Sequence, residues 1–318
     1  MPDLVPRTKP KAMNYALPLA RGEYLAIYDA EDRPERDQLR RAVHAFRQGP
    51  PNLAVVQARL NIYNIADNWL TRQFTIEYSA LFDGVLPSLE RLGLPIPLGG
   101  TSNHFRVSAL KWLTAWDPFN VTEDADLGIR LNRNGYRCGI IASTTHEEAP
   151  SKLMGWLKQR TRWLKGYLLT WLVHMREPRT LWRELGPRGF AGFQLVIGGT
   201  VLSALVHPWF YVLSVFEIAH GGFLSAPASL LGVPFWLIAW FDLLSGYLAA
   251  MAVGFLSVRN RGYRELFAQV LLMPLYWLLI SVAAYRAIWQ FGSARYTWEK
   301  TEHGQASQRA TQPPKSRL

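Results

Sequence analysis

Three long apolar runs, residues 190–219, 230–258 and 266–291, constrain this chain more than any other feature. Each exceeds the roughly 20 residues a helix needs to cross a hydrocarbon core of about 30 Å. One such run could be a buried core helix. Three in succession predict membrane helices, since helices satisfy their own backbone hydrogen bonds in lipid. The loops set an orientation. Residues 221–229 carry no Lys or Arg, whereas Arg259, Arg261 and Arg264 separate the second and third runs. Basic loops stay on the cytoplasmic side, which places the first half of the chain and the Arg259 loop in the cytoplasm. The basic tail asks for the same side, and three full crossings cannot meet all of these demands. Residues 266–291, with Pro274 and Arg286, are therefore expected to be re-entrant or interfacial.

The first half has the punctuation of a soluble α/β domain. Strands are expected at 23–28, 53–56, 103–107 and 136–142. The first is an apolar run, expected to be buried, that delivers an acidic cluster at its end. Helices are expected at 34–46, 69–92 and 124–134, with Gly93, Pro95 and Pro97 as breakers. From 150 to 188 aromatic and basic residues alternate (Trp156, Arg160, Arg162, Trp163, Lys165, Trp171), the pattern of a helix at the membrane interface. The tail after Gly304 is polar and basic, a composition that does not build a core.

The formal net charge is +11, concentrated in 33–47, 152–165 and 176–188. The sequence has no helix-turn-helix spacing, zinc ligand set or RNA-binding aromatic signature, so no nucleic acid partner is expected. The charge points instead to a membrane surface or a phosphate-rich substrate. Cys138 stands alone, which excludes an intrachain disulfide and a cysteine metal box; it reads as a small buried residue. The opening MPDLVPRTKPK lacks the apolar core of a signal peptide.

Three constellations carry possible chemistry. Asp29, Glu31 and Asp32 close the first strand, and carboxylates there suit a hard cation, although such clusters are more often solvated turns. In Thr122-Glu123-Asp124 a carboxylate opens a helix and could serve as a general base; the bland alternative is an N-cap with acids in the first turn. In Gln159-Arg160-Thr161-Arg162-Trp163, Gln159, Arg162 and Trp163 share a helix face. An amide and a guanidinium there can hold phosphate oxygens, and an indole can stack on a sugar ring. Arg and Trp at headgroup level are the alternative.

In this order, and followed by membrane helices, the three motifs make the sequence resemble the family 2 glycosyltransferases, in particular the cellulose-synthase-like membrane synthases of bacteria. The resemblance runs to about Gly304. It implies an α/β GT-A-like fold (a partial nucleotide-sugar transferase domain), then an interfacial helix and about three transmembrane or membrane-associated helices. It implies a Mg2+ or Mn2+ ion at Asp29 and Glu31, with Asp32 close by, and Asp124 as base beside Glu123. Lys11 and Asn14, in the segment Thr8 to Leu17, would approach the donor together with Gln159 and Arg162. Gly100, Thr101 and Ser102 would lie beside the acceptor sugar, and Trp163 would stack on it. Residues 298–304 would match a loop that closes over the donor. His104 and His303 are read as structural or solvent-exposed. Glu31 stands where the family pattern has Asp. The family also has a strand–helix unit before the Lys-rich segment, whose first Asp contacts the base, and N-terminal membrane helices. Neither precedes Thr8, so a missing N-terminal half, or a second chain supplying it, is expected.

The expected organisation is a partial catalytic domain over 1–149, an interfacial region over 150–188, a transmembrane region over 189–292, and a loop and tail over 293–318. The expected activity is inverting transfer from a nucleotide sugar, of the UDP-sugar type, to a growing polysaccharide at the inner membrane, with the catalytic part in the cytoplasm. Expected partners are the donor, a glycan or lipid acceptor, membrane lipids and an auxiliary subunit. The competing readings are a single-sugar transferase acting on a lipid and an inactive fragment acting as scaffold.

Overall fold

The computed structural model describes residues 8–221, 229 and 231–293. The loop at 298–304, His303, the tail and most of 221–229 lie outside the described residues. The elements run α1 (Lys9–Ala16), β1 (Tyr24–Ile27), β2 (Arg33–Pro34), α2 (Gln38–Gln48), β3 (Leu53–Ile62), α3 (Trp69–Ser79), a π-helical turn (Ala80–Val85), α4 (Leu86–Arg91), β4 (Asn103–Arg106), α5 (Val107–Trp112), α6 (Glu123–Arg133) and β5 (Arg137–Glu147). Then come α7 (Leu153–His174), α8 (Pro178–Phe193), α9 (Gly199–Ala219), α10 (Gly232–Asn260) and α11 (Met273–Ser293).

The five strands form one mixed sheet in the order β1-β4-β3-β5-β2. Only β3 and β5 pair in parallel, with Val56 opposite Gly139 and Ile62 opposite Glu147; the other pairs are antiparallel. β3 lies at the centre and is buried along nearly its whole length, as a strand covered on both faces must be. One face packs on Phe74, Phe82, Leu86, Phe105 and Leu127, the other on Ala42 and Phe46 of α2.

Three expectations are corrected here. The strand at 23–28 was expected to be buried. It is instead the outer strand of the sheet, half-exposed, with Ala26 open to solvent. The helix expected from Pro34 begins at Gln38, because Arg33 and Pro34 pair with His146 and Thr145 at the opposite edge. An edge strand is where a proline fits. β3 and β5 each run past the stretch their sequence suggested, because their parallel pairing continues to Ile62 and Glu147. The burial expected of Cys138 holds; it is 5% exposed, and burial pushes its thiol up to about 12.

α7 joins the two halves of the chain. The basic and aromatic residues that suggested a headgroup-level helix are largely turned inward, with Trp156, Arg160 and Lys165 buried. The helix packs against α9 and α11. It approaches the sheet domain tightly at Gly166, where a Cβ would lie 2.3 Å from the Thr122 Oγ1. That contact presses the start of α6 onto α7. Asn120 Nδ2 to Thr170 Oγ1 (2.9 Å) and His174 Nε2 to Asp126 Oδ1 (3.0 Å) reinforce it.

Three helical stretches, Pro178–Ala219, Gly232–Asn260 and Arg264–Ser293, are long and apolar enough to cross a membrane. In the first, Gly186 adopts φ 67° and ψ 174°, a conformation essentially reserved for glycine. Pro187 follows it, so a corner separates the basic half of α8 from the apolar half.

Candidate functional site

The acid motif is held at the end of β1. Asp32 Oδ2 accepts from the Asp29 backbone N–H at 2.9 Å and from the Thr101 hydroxyl, while Thr101 Oγ1 accepts from Asp29 N–H at 3.2 Å. The buried Asp32 Oδ1 has no hydrogen-bond partner. Burial raises the Asp32 carboxyl above its ordinary range, with Asp29 and Glu31 adding to the effect. Asp29 forms an ion pair with Lys9, whose ammonium also donates to the Gly100 carbonyl at 2.7 Å. Burial works against the Lys9 charge; Asp29, then Asp124 and Glu123, outweigh it, and its pKa stands above normal.

Asp124 lies across from this pair, in the first turn of α6. Its Oδ1 accepts from the Ala125 N–H at 2.8 Å. Its Oδ2 is aimed at Gly100, where a Cβ would stand only 2.9 Å away. The missing side chain at Gly100 is therefore the space in front of the carboxylate. Thr122 occupies the N-cap position and acids fill the first turn, as the cap reading has it, but its hydroxyl makes no capping bond and its N–H donates to Asn120 Oδ1. Glu123 is 3% exposed, and burial raises its carboxyl, with the Asp124 charge adding. Burial also raises Asp124, opposed by the Ala125 N–H, Lys9 and Arg162.

α7 closes the site. Arg162 donates to the Val121 carbonyl at 3.3 Å and feels Glu123, Asp124 and Asp29, although burial leaves its pKa lowered. Gln159 is 7% exposed, and its Oε1 is buried without a partner. The Trp163 indole packs on Tyr78 and Phe74, with ring centroids 6.3 and 6.0 Å apart.

The structure thus draws Asp29, Asp32, Gly100, Glu123, Asp124 and Arg162 together. The other expected residues are placed as follows. Asn14 spends its amide on Trp116, donating to its carbonyl at 2.6 Å and accepting its N–H at 3.1 Å. Lys11 and Glu31 are half-buried. Thr101 braces the acid motif. Ser102 is fully buried and donates to Thr145 Oγ1 at 2.7 Å, inside the sheet. His104 is buried between Val56 O and Tyr28 OH, at 3.2 and 3.0 Å.

Two residues were missed. Lys9 reaches the carboxylates; it lies in the same Lys-rich segment as Lys11, which was the available signal. Glu147 ends β5 as Asp29 follows β1. Burial pushes its carboxyl up to about 8, Asp32 adds to the rise, and a hydrogen bond from Tyr78 opposes it. A carboxylate at a strand end is the signal that marks Glu147, as it marks Asp29.

Among the described residues, no group of three or more His, Cys, Asp or Glu is placed to hold a metal by itself. The unpartnered Asp32 Oδ1 nevertheless offers one hard ligand beside Asp29. That suits an ion such as Mg2+, which is held by one or two carboxylates and completed by substrate phosphates.

The profile of glycosyl transferase family group 2 matches residues 24–292, so the chain belongs to that family. The mixed sheet, with the acid motif at the end of β1 and Asp124 on α6, is the GT-A-like fold the resemblance implied. Probable glucomannan 4-beta-mannosyltransferase 11 of Arabidopsis thaliana is 27% identical over 168 residues, 51% of this chain and 38% of that protein. Probable glycosyltransferase YdaM of Bacillus subtilis (strain 168) is 29% identical over 160 residues, 50% of this chain and 38% of that one. The chain therefore matches under half the length of these curated relatives. A solved mannosyltransferase from Pyrobaculum calidifontis, in complex with GDP-Man and Mn2+, is similar at a TM-score of 0.49 and 19% identity, covering 90% of this chain and 68% of that one.

Proposed function

We propose that this chain is the catalytic and membrane part of an inverting glycosyltransferase that moves a sugar from a nucleotide-sugar donor to a growing glycan at the inner membrane, with its sheet domain in the cytoplasm. One observation carries this reading. Asp124 faces the open space at Gly100, across from the Lys9–Asp29 pair, with Arg162 beside it.

In this reading Asp124 Oδ2 takes the proton from the acceptor hydroxyl as that oxygen attacks the anomeric carbon. Lys9 and Arg162 stabilise its ionised form and supply positive field for the departing diphosphate. The Gln159 carbonyl accepts a hydrogen bond from substrate, and the Trp163 indole backs the acceptor ring. A divalent ion at Asp29, Glu31 and Asp32, when bound, would neutralise charge on the diphosphate. One base and one displacement invert the anomeric centre. The relatives' names make mannose one sugar to test. Membranes carrying the chain, given UDP-glucose or GDP-mannose with Mg2+ or Mn2+, are expected to incorporate sugar in step with released nucleoside diphosphate, in β linkage. An α-linked product would overturn inversion. A single-sugar product would move the acceptor to a lipid.

The pH dependence has a definite sign. A base must be ionised to work, and burial holds the carboxyls of Asp124 and Glu123 above their ordinary values. The transfer rate should therefore rise with pH, its acid limb lying above the ordinary carboxylate range near about 4. A rate–pH profile that stays flat down to about pH 4.5 would contradict a buried carboxylate base.

A further inference from the structure

Arg160 lies inside the motif on α7 but faces away from Asp124. Its side chain is 7% exposed. The guanidinium edge grips Glu77 of α3 with two hydrogen bonds, one of 2.5 Å from Nη1 and a second from Nη2. Nη2 also donates to the Tyr276 hydroxyl of α11 at 3.1 Å. Tyr276 OH in turn donates to Glu77 Oε2 at 2.9 Å and accepts from Trp156 Nε1 at 3.1 Å. With its edge fixed, the plane of the guanidinium has one orientation. The Phe74 and Trp163 rings both lie close against it, with centroids 4.6 and 4.7 Å from the Arg160 Cζ.

We propose that Arg160, clamped by Glu77 and Tyr276, is a positioning residue that sets the Trp163 indole and ties that setting to membrane helix α11. The consequence for acceptor binding rests on the reading above that Trp163 contacts the acceptor sugar. Trp163 is half-buried and has packing partners on one side in Tyr78 and Phe74. Arg160 supplies a charged planar contact, attractive through the ring quadrupole and oriented by a carboxylate. Lysine cannot reproduce this. Its ammonium is a point charge without a plane and cannot be bidentate to Glu77 while lying against two rings. A movement of α11 reaches Trp163 through two hydrogen bonds and one ring contact. The polymer would pass beside these same membrane helices.

The test uses the full chain, purified in detergent and labelled with 5-fluorotryptophan, with the Trp163 line assigned from Trp163→Phe. Arg160→Lys and Glu77→Gln are expected to shift and broaden that fluorine line while the other tryptophan lines keep their dispersion. Tyr276→Phe, the gentler change, should shift it in the same direction by less. An Arg160→Lys protein that keeps its overall spectrum and leaves the Trp163 line in place overturns the proposal. Titration with mannohexaose and cellohexaose separates the two claims. If either sugar moves the wild-type Trp163 line, Arg160→Lys should raise the half-saturating concentration by about 10-fold, and an unchanged titration also overturns the proposal. If neither sugar moves it, the acceptor reading of Trp163 fails, while the line position still decides the positioning role.

Discussion

Asp124→Asn is expected to lower the rate of sugar transfer by about a thousandfold, within the 10²–10⁴ range that a positioned general base contributes. The substitution keeps the shape of the side chain, and the Asn carbonyl can still accept the Ala125 N–H that Asp124 Oδ1 takes at 2.8 Å. It puts an amide in front of Gly100, where the proton acceptor should be. Donor binding should survive, because Lys9, Arg162 and the acid motif are untouched. Asp124→Glu keeps the base but moves it by a methylene into the space beside Gly100, and should be nearly as damaging. Released nucleoside diphosphate, measured in membranes of matched protein content, reads both. If Asp124→Asn retained more than about a tenth of the activity, Asp124 would not be the base.

The second large effect is on stability. Arg261, just after α10, donates to Asp83 through Nε at 2.5 Å and Nη2 at 3.0 Å, and also to Asn61 Oδ1 and the Leu60 carbonyl at 2.8 and 3.1 Å. Both side chains of the pair are 11% exposed. Removing one partner of such a pair leaves a buried charge uncompensated, at a cost of about 3–5 kcal/mol. Asp83→Ala should lose about that much in a reversible denaturation experiment in mixed micelles. The double change Asp83→Leu with Arg261→Met should recover most of the loss, since two apolar groups of similar volume need no counter-ion. A cost below about 1 kcal/mol for the single change would mean that the pair is as weak as one on the surface.

Both effects bear on what could be read in the sequence. Element positions were legible because they depend on local signals: the apolar runs of the membrane helices, the breakers after Arg91, the acids that open α6. The sheet order was not, since strand pairing is decided between residues 46 to 113 apart, such as Gln57 with Asn103 and Arg33 with His146. For the same reason β1 read as a buried strand and proved to be the outer one. The site shows the same division. Asp29, Asp124, Arg162 and Trp163 belong to compact motifs whose chemistry can be argued from spacing. Asn14 and Ser102 also belong to such motifs, yet their polar groups are taken up by Trp116 and Thr145, neighbours that only the folded chain supplies. Lys9, Glu147 and Arg160 lie in or beside local patterns, but they gain their significance from partners 20 to more than 110 residues away.

The corner at Gly186 bears on how forces travel along this chain. A continuous helix from Pro178 to Ala219 would act as a lever, and any change in tilt of its apolar part would swing the basic turns along with it. With a glycine in an extended, positive-φ conformation at the corner, the two arms no longer share one axis. Accommodation of the apolar arm to bilayers of different thickness can be taken up there. The basic turns before the corner, which pack on α6 and hold the Arg133–Glu184 ion pair, need not follow it. What the apolar arm does reaches Arg162 through α7, which packs on both α9 and α11, rather than through the basic turns of α8.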